Sequence, residues 1–129
     1  MTHTSPAVTD MTPVKHPVSG PELTFSLPEE MALLKGELRN APARSAKTLI
    51  KEGPITVRLI GVNAGGSLHS HKADGPITVQ VLEGEIEIQS EGKSRTLPVG
   101  TLAAFNSGIV HGVTSPRGGV FLLTVVNGA

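Results

Sequence analysis

Apolar and polar residues alternate with period two along most of the second half of the chain. In Ile77-Thr78-Val79-Gln80-Val81-Leu82 and in Glu85-Ile86-Glu87-Ile88-Gln89 every second residue is branched and apolar. That period matches the two faces of a half-buried β-strand. Glu83-Gly84 lies between these runs and is expected to form a turn, as is Ser90-Glu91-Gly92-Lys93. Ala46 to Ile50, Ile55 to Val62, Thr101 to Phe105, His111 to Thr114 and Val120 to Val126 are further expected strands. Many short strands punctuated by Gly and Pro indicate a sandwich or barrel.

One segment reads differently. Ser26-Leu27-Pro28-Glu29 has the residues of a helix start: a capping serine, proline in the first turn and an acid three residues after the cap. The helix is expected to run to about Leu38, with Met31, Leu33, Leu34 and Leu38 as its apolar stripe, and to end at Asn40-Ala41-Pro42. Before it, residues 1–22 are rich in Thr, Pro, Ser and Val without periodicity. Pro6, Pro13, Pro17 and Pro21 interrupt helix or central strand there. This stretch is expected to be a flexible N-terminal arm, and residues 23–129 a single domain.

Composition narrows the function. The 129 residues carry 11 Lys plus Arg against 11 Asp plus Glu, so the formal net charge is zero and nucleic acid is a poor partner. There is no Trp, no Tyr and only three Phe, which leaves few platforms for stacking bases or sugars. Cysteine is absent, which removes disulfides and thiolate chemistry and fits a cytoplasmic protein. The start of the chain has no basic region followed by an apolar run, so neither a secretory signal nor a membrane span is expected.

The candidate chemistry lies in three histidines. His69 and His71 stand at i and i+2 in Gly65-Gly66-Ser67-Leu68-His69-Ser70-His71, and His111 ends Asn106-Ser107-Gly108-Ile109-Val110-His111. Residues two apart on a regular strand share a face. Imidazole is the commonest protein ligand for divalent transition metals. His3 and His16 fall in the arm and read as solvated tail residues. Gln80, Asp74 and Glu83 are weaker polar candidates, read as an outer-face residue and two turn residues. Glu85 and Glu87 suggest a solvated face. No Ser-His-Asp spacing, phosphate-binding loop or dinucleotide-binding glycine pattern is present.

The stretch from Gly65 to Val125 resembles the two sequence motifs of the cupin superfamily. The second motif runs Gly, five residues, Pro, one residue, Gly, two residues, His, three residues, Asn. Gly100 to His111 fits it without a gap, with Asn106 in the Pro position and Ser115 in the Asn position. The first motif runs Gly, five residues, His, one residue, His, three or four residues, Glu, six residues, Gly. A gapless fit places Gly65 and His71 in it, puts Ala73 in the second His position and Ile77 in the Glu position, and closes on Gly84. A second fit takes His69 and His71 as the histidine pair with a loop two residues longer. Neither fit supplies the Glu.

The resemblance implies an all-β fold, the cupin double-stranded β-helix or jelly-roll barrel, here with a short N-terminal helix. It implies a metal site of at most three imidazoles, His69, His71 and His111, holding a divalent ion such as Fe, Zn, Mn or Ni. It also implies a homodimer. The barrel interior is expected to include Ile77, Val79, Val81, Phe105, Val113 and Leu123, which suits a small, partly hydrophobic ligand. The leading expectation is a metal-binding cupin, specifically an iron(II)-dependent dioxygenase acting on a small carbonyl compound. The alternatives are a non-catalytic small-ligand-binding protein (a sensor or store) and a zinc-dependent isomerase or cyclase.

Overall fold

The computed structural model describes residues 22–41, 43–72 and 75–127, with the backbone alone at 69–72 and 110. The expected arm, apart from Glu22, lies outside the described residues. Helix α1 (Leu27–Leu38) is followed by strands β1 (Arg44–Glu52), β2 (Ile55–Val62), β3 (Gly66–Lys72), β4 (Ile77–Ser90), β5 (Lys93–Pro98), β6 (Leu102–Phe105), β7 (Val110–Ser115) and β8 (Gly119–Val126). No described helix is long and apolar enough to cross a membrane.

All pairings are antiparallel, and β4 takes part in two sheets. Its first half pairs with β8 and β6, and β2 and β1 extend that sheet beyond β8. Its second half pairs with β5 and β7, and β3 extends that sheet beyond β7. The two sheets face each other across one apolar cluster. Ile60, Val79, Val81 and Phe121 come from the first sheet, and Ile86, Ile88, Leu97 and Val113 from the second. Phe105 and Leu123 are partly buried against it, so the expected interior residues do line this cluster.

The expected turn at Glu83-Gly84 is instead a bend inside one strand of 14 residues. Two steps on β4, Val81 to Glu83, match one step on β8, Phe121 to Val120. The extra residue is a β-bulge, which bends a strand and reverses the parity of its faces. Inward residues are therefore odd-numbered before the bulge (Ile77, Val79, Val81) and even-numbered after it (Ile86, Ile88). A parity change of this kind reads equally as a turn or as a bulge in the sequence alone. The two acids past the bend also differ from expectation: Glu85 and Glu87 are half-buried, and Glu87 accepts from Thr114 Oγ1 at 3.3 Å. Strand β5 has no apolar alternation and was not anticipated. It is set by the Glu91-Gly92 hairpin, whose two central residues have φ of 52° and 76°, the geometry of a type I′ turn.

Helix α1 starts at Ser26, whose hydroxyl accepts from the Glu29 amide at 3.4 Å. It covers the outer face of the first sheet, where Leu34 packs with Leu49, Leu59 and Val120. The inward line is Glu30, Leu34 and Leu38, all buried, while Leu33 is 40% exposed. An acid thus takes the place assigned to an apolar residue, because Lys47 on β1 meets it. Burial on both faces explains the unbroken apolar run Val120-Phe121-Leu122-Leu123.

Candidate metal centre

His111 opens the inner face of β7. Its approach is a four-residue turn in which the Ile109 amide donates to the Asn106 carbonyl at 3.5 Å and Gly108 has φ +80°. That backbone region is open to glycine at little cost, which accounts for Gly108 in the motif. Gly65 and Gly100 occupy the same place in turns at Asn63–Gly66 and Pro98–Thr101. The motif spacing is therefore largely a spacing of turns.

His111 is 3% exposed, and its Nδ1 lies 3.1 Å from the Ile109 carbonyl oxygen. A carbonyl only accepts, so Nδ1 carries a proton in that contact. Metal-bound histidines commonly donate their second ring N–H in this way, to a carbonyl or carboxylate. Phe105 stacks on the imidazole with ring centroids 5.5 Å apart and planes 14° from parallel.

The backbone of β3 brings the first-motif histidines alongside. His71 and His111 are register partners on β3 and β7. Directly opposed positions on antiparallel strands share one sheet face. The preceding pair is Leu68 with Val113, so three steps on β3 match two on β7. His69 falls within that irregularity. The i, i+2 argument for His69 and His71 assumes a regular strand, and β3 is not regular there.

The side chains of His69 and His71 lie outside the described ones, as does Asp74 entirely. Among the described residues no three of His, Cys, Asp and Glu come together. The Glu position of the first motif is filled by Ile77, 3% exposed in the apolar cluster, so no carboxylate reaches the centre from there. Gln80 is exposed on the outer face, as its parity predicts. Imidazoles remain the candidate donors for a divalent ion, and His111, buried and oriented, is the one whose surroundings are described.

A cleft of about 580 Å³ opens between β5 and β6. Its wall includes Ile88, Ser90, Lys93, Arg95, Phe105 and Ile109, so it reaches the ring that stacks on His111.

One polar residue was missed. Arg58 on β2 alternates with Ile60 and Val62 of the barrel cluster and pairs with Leu123, which packs on that cluster. The neighbouring Leu59 belongs to the helix-facing cluster instead. Arg58 is thus placed on the inner face, and its Nε is buried without a hydrogen-bond partner. Leaving a buried donor unmade costs about 1–3 kcal/mol, and more when it is charged. The signal was available: one arginine at an inward position of the apolar run Ile55 to Val62.

Solved structures share this architecture. A cupin superfamily protein from Desulfitobacterium hafniense superimposes with a TM-score of 0.65 at 14% identity, over 67% of this chain and 80% of the other. A cupin-2 domain containing protein from Shewanella frigidimarina gives 0.66 at 14% identity, over 81% and 95%. An RmlC-like cupin from the same species gives 0.63 at 20% identity, over 67% and 78%. The chain has the cupin fold. No family model matches the sequence and no curated protein matches it, so the likeness is one of structure. At these identities it concerns the barrel and not an activity. A further structural neighbour, a protein from Streptococcus pyogenes with a TM-score of 0.68 at 17% identity over 87% of this chain and 92% of the other, is itself described as of unknown function.

Proposed function

We propose that this cupin holds a divalent metal ion on His71 and His111, with His69 as the third candidate ligand, and binds a small molecule beside it. The observation that carries the reading is the register of β3 on β7, which sets position 71 directly across from buried, oriented His111. Imidazole donors suit Fe, Zn and Ni, and Mn is accepted more weakly. Three neutral imidazoles leave the ion's two positive charges uncompensated, which favours an anionic or enolisable ligand.

The activity proposed for this centre is oxidation of a small carbonyl compound by dioxygen. A bound iron(II) would supply a place for the chelating carbonyl compound and dioxygen side by side. The chain's own residues bind and orient: Ile109 fixes the His111 ring, Phe105 covers it, and the cleft beside Phe105 admits the ligand.

The test is metal analysis of protein purified without oxygen, followed by oxygen uptake with a β-dicarbonyl compound. About one metal per chain in the wild type and none in His111→Ala is the expected result. Oxygen uptake with iron bound supports the dioxygenase. Stoichiometric metal without uptake reduces the reading to a small-ligand-binding cupin. Wild-type protein with only trace metal, after exposure to Fe, Zn, Mn and Ni, overturns the metal centre.

A further inference from the structure

The geometry points to Arg58 as an anion-binding residue inside the barrel, holding the carboxylate of a small 2-oxo acid. This rests on the reading that the barrel interior binds a small molecule, but not on a metal being there.

Three observations carry it. First, register and alternation place Arg58 among inward residues, between the rungs of Thr56 and Ile60. Second, its Nε is a buried nitrogen with no partner among the described residues. The inward positions of β2, β4, β7 and β8 offer it no carboxylate. A guanidinium is a planar fork that matches a carboxylate by two parallel hydrogen bonds, and it does not shed its proton to relieve the burial. Arg58 as a whole is half-buried, with Thr48 across the rung on β1 and Thr56 beside it on β2, so a guanidinium with no acid beside it can meet an anion from outside the chain.

Third, Arg58 stands level with His111. The Asn63–Gly66 turn joins the lower ends of β2 and β3, and the Gly65 amide donates to the Ser115 carbonyl at 2.8 Å, which ties in the lower end of β7. Arg58 is four residues above Val62 on β2, and His111 four residues above Ser115 on β7. At the rise of an extended strand both stand about 13 Å above that common end. The sheets carrying them face each other across the core. A ligand between the two walls would meet a cation on one side and imidazole on the other. A 2-oxo acid presents a carboxylate and, one carbon away, a carbonyl.

The test is calorimetric titration of the full chain with two probes, 2-oxobutyrate and 2,3-pentanedione. They share one heavy-atom framework, with a methyl group replacing one carboxylate oxygen in the second. Wild-type protein is expected to bind 2-oxobutyrate at least about 10-fold more tightly. Arg58→Met, which keeps an unbranched apolar stem and loses the charged fork, should weaken 2-oxobutyrate by about 10–100-fold, the scale for hydrogen bonds to charged groups. Its binding of 2,3-pentanedione should be unchanged. Since Arg58 Nε makes no hydrogen bond, its loss should leave the melting temperature of the unliganded protein no lower, whereas loss of a structural arginine would lower it. Arg58→Lys provides a second variant with the charge and without the fork, and should bind 2-oxobutyrate with intermediate affinity.

Equal affinity for the two probes, or unchanged 2-oxobutyrate binding in Arg58→Met, overturns the inference. So does a wild type that binds no 2-oxobutyrate up to about 10 mM, a weaker affinity than any useful recognition. Metal analysis of the same samples separates the two ideas. Metal-free protein with Arg58-dependent discrimination keeps this inference and removes the metal centre. Stoichiometric metal without discrimination does the reverse.

Discussion

Lys47 Nζ and Glu30 Oε1 meet at 3.1 Å between β1 and α1, with side chains 5% and 1% exposed. The helix is therefore docked by a charge pair as well as by Leu34 and Leu38. Breaking a buried pair from one side strands the other charge and costs about 3–5 kcal/mol, while replacing both partners by apolar groups is often neutral or stabilising.

Urea denaturation should therefore show Glu30→Leu and Lys47→Met each destabilised by about 3–5 kcal/mol, and the double variant close to wild type. The non-additivity is the prediction. A double variant that loses the sum of the single losses would show that the two charges do not stabilise each other.

Gly84 gives a second prediction. Its φ is +68°, and a Cβ there would run into the Gly118 carbonyl oxygen. The residue sits where β4 leaves one sheet for the other. Gly53, with φ +55°, has nothing within 4 Å of its would-be Cβ. Gly53→Ala should cost about 1–2 kcal/mol, the penalty of the left-handed region alone. Gly84→Ala should cost at least about 3 kcal/mol, since backbone must move as well. Paired denaturation curves check the difference; equal losses would show that the close approach at Gly84 relaxes without cost.

These cases indicate what the sequence made legible. Elements set by local rules were readable: the Ser26 cap with its proline, the period-two strands and the glycine turns before β7. The bend at Glu83-Gly84 was not, because a bulge and a turn leave the same parity change in the pattern, and only the partner strand tells them apart. Glu30 and Lys47 were unreadable for a related reason. Each looks like an ordinary surface charge until α1 folds onto β1, 17 residues away in sequence. His111 and Ile77 are both buried at the inward positions that strand alternation indicates. The position of His69 depends on an irregularity in β3 that no local signal announces.

Ser115 tests what the chain does with a departure from the family pattern. It stands where that pattern has Asn, is fully buried, and donates to the Glu85 carbonyl at 2.6 Å. Ser115→Ala should lose about 1–2 kcal/mol, the value of a buried hydrogen bond with its acceptor left behind. Ser115→Asn should lose more, because a site with no exposed surface has no room for the larger amide. Thermal melting of the two variants decides it, and a stabilised Ser115→Asn would mean that the pocket at this end of β7 is under-filled.

The histidines give the last prediction. If the register of β3 on β7 sets the ligands, His71→Ala and His111→Ala should each abolish stoichiometric metal, because each removes one member of the opposed pair. His69 lies in the irregular stretch and should behave as a supporting donor. His69→Ala should still fill to one metal per chain at saturation, with affinity reduced by about 10–100-fold, as for groups that position a site more than they form it. Elemental analysis gives the stoichiometry, and competition with a chelator gives the affinity. Full metal in His71→Ala would remove the opposed pair as the centre. Complete loss in His69→Ala would instead make the site a three-imidazole face, with all three histidines equal.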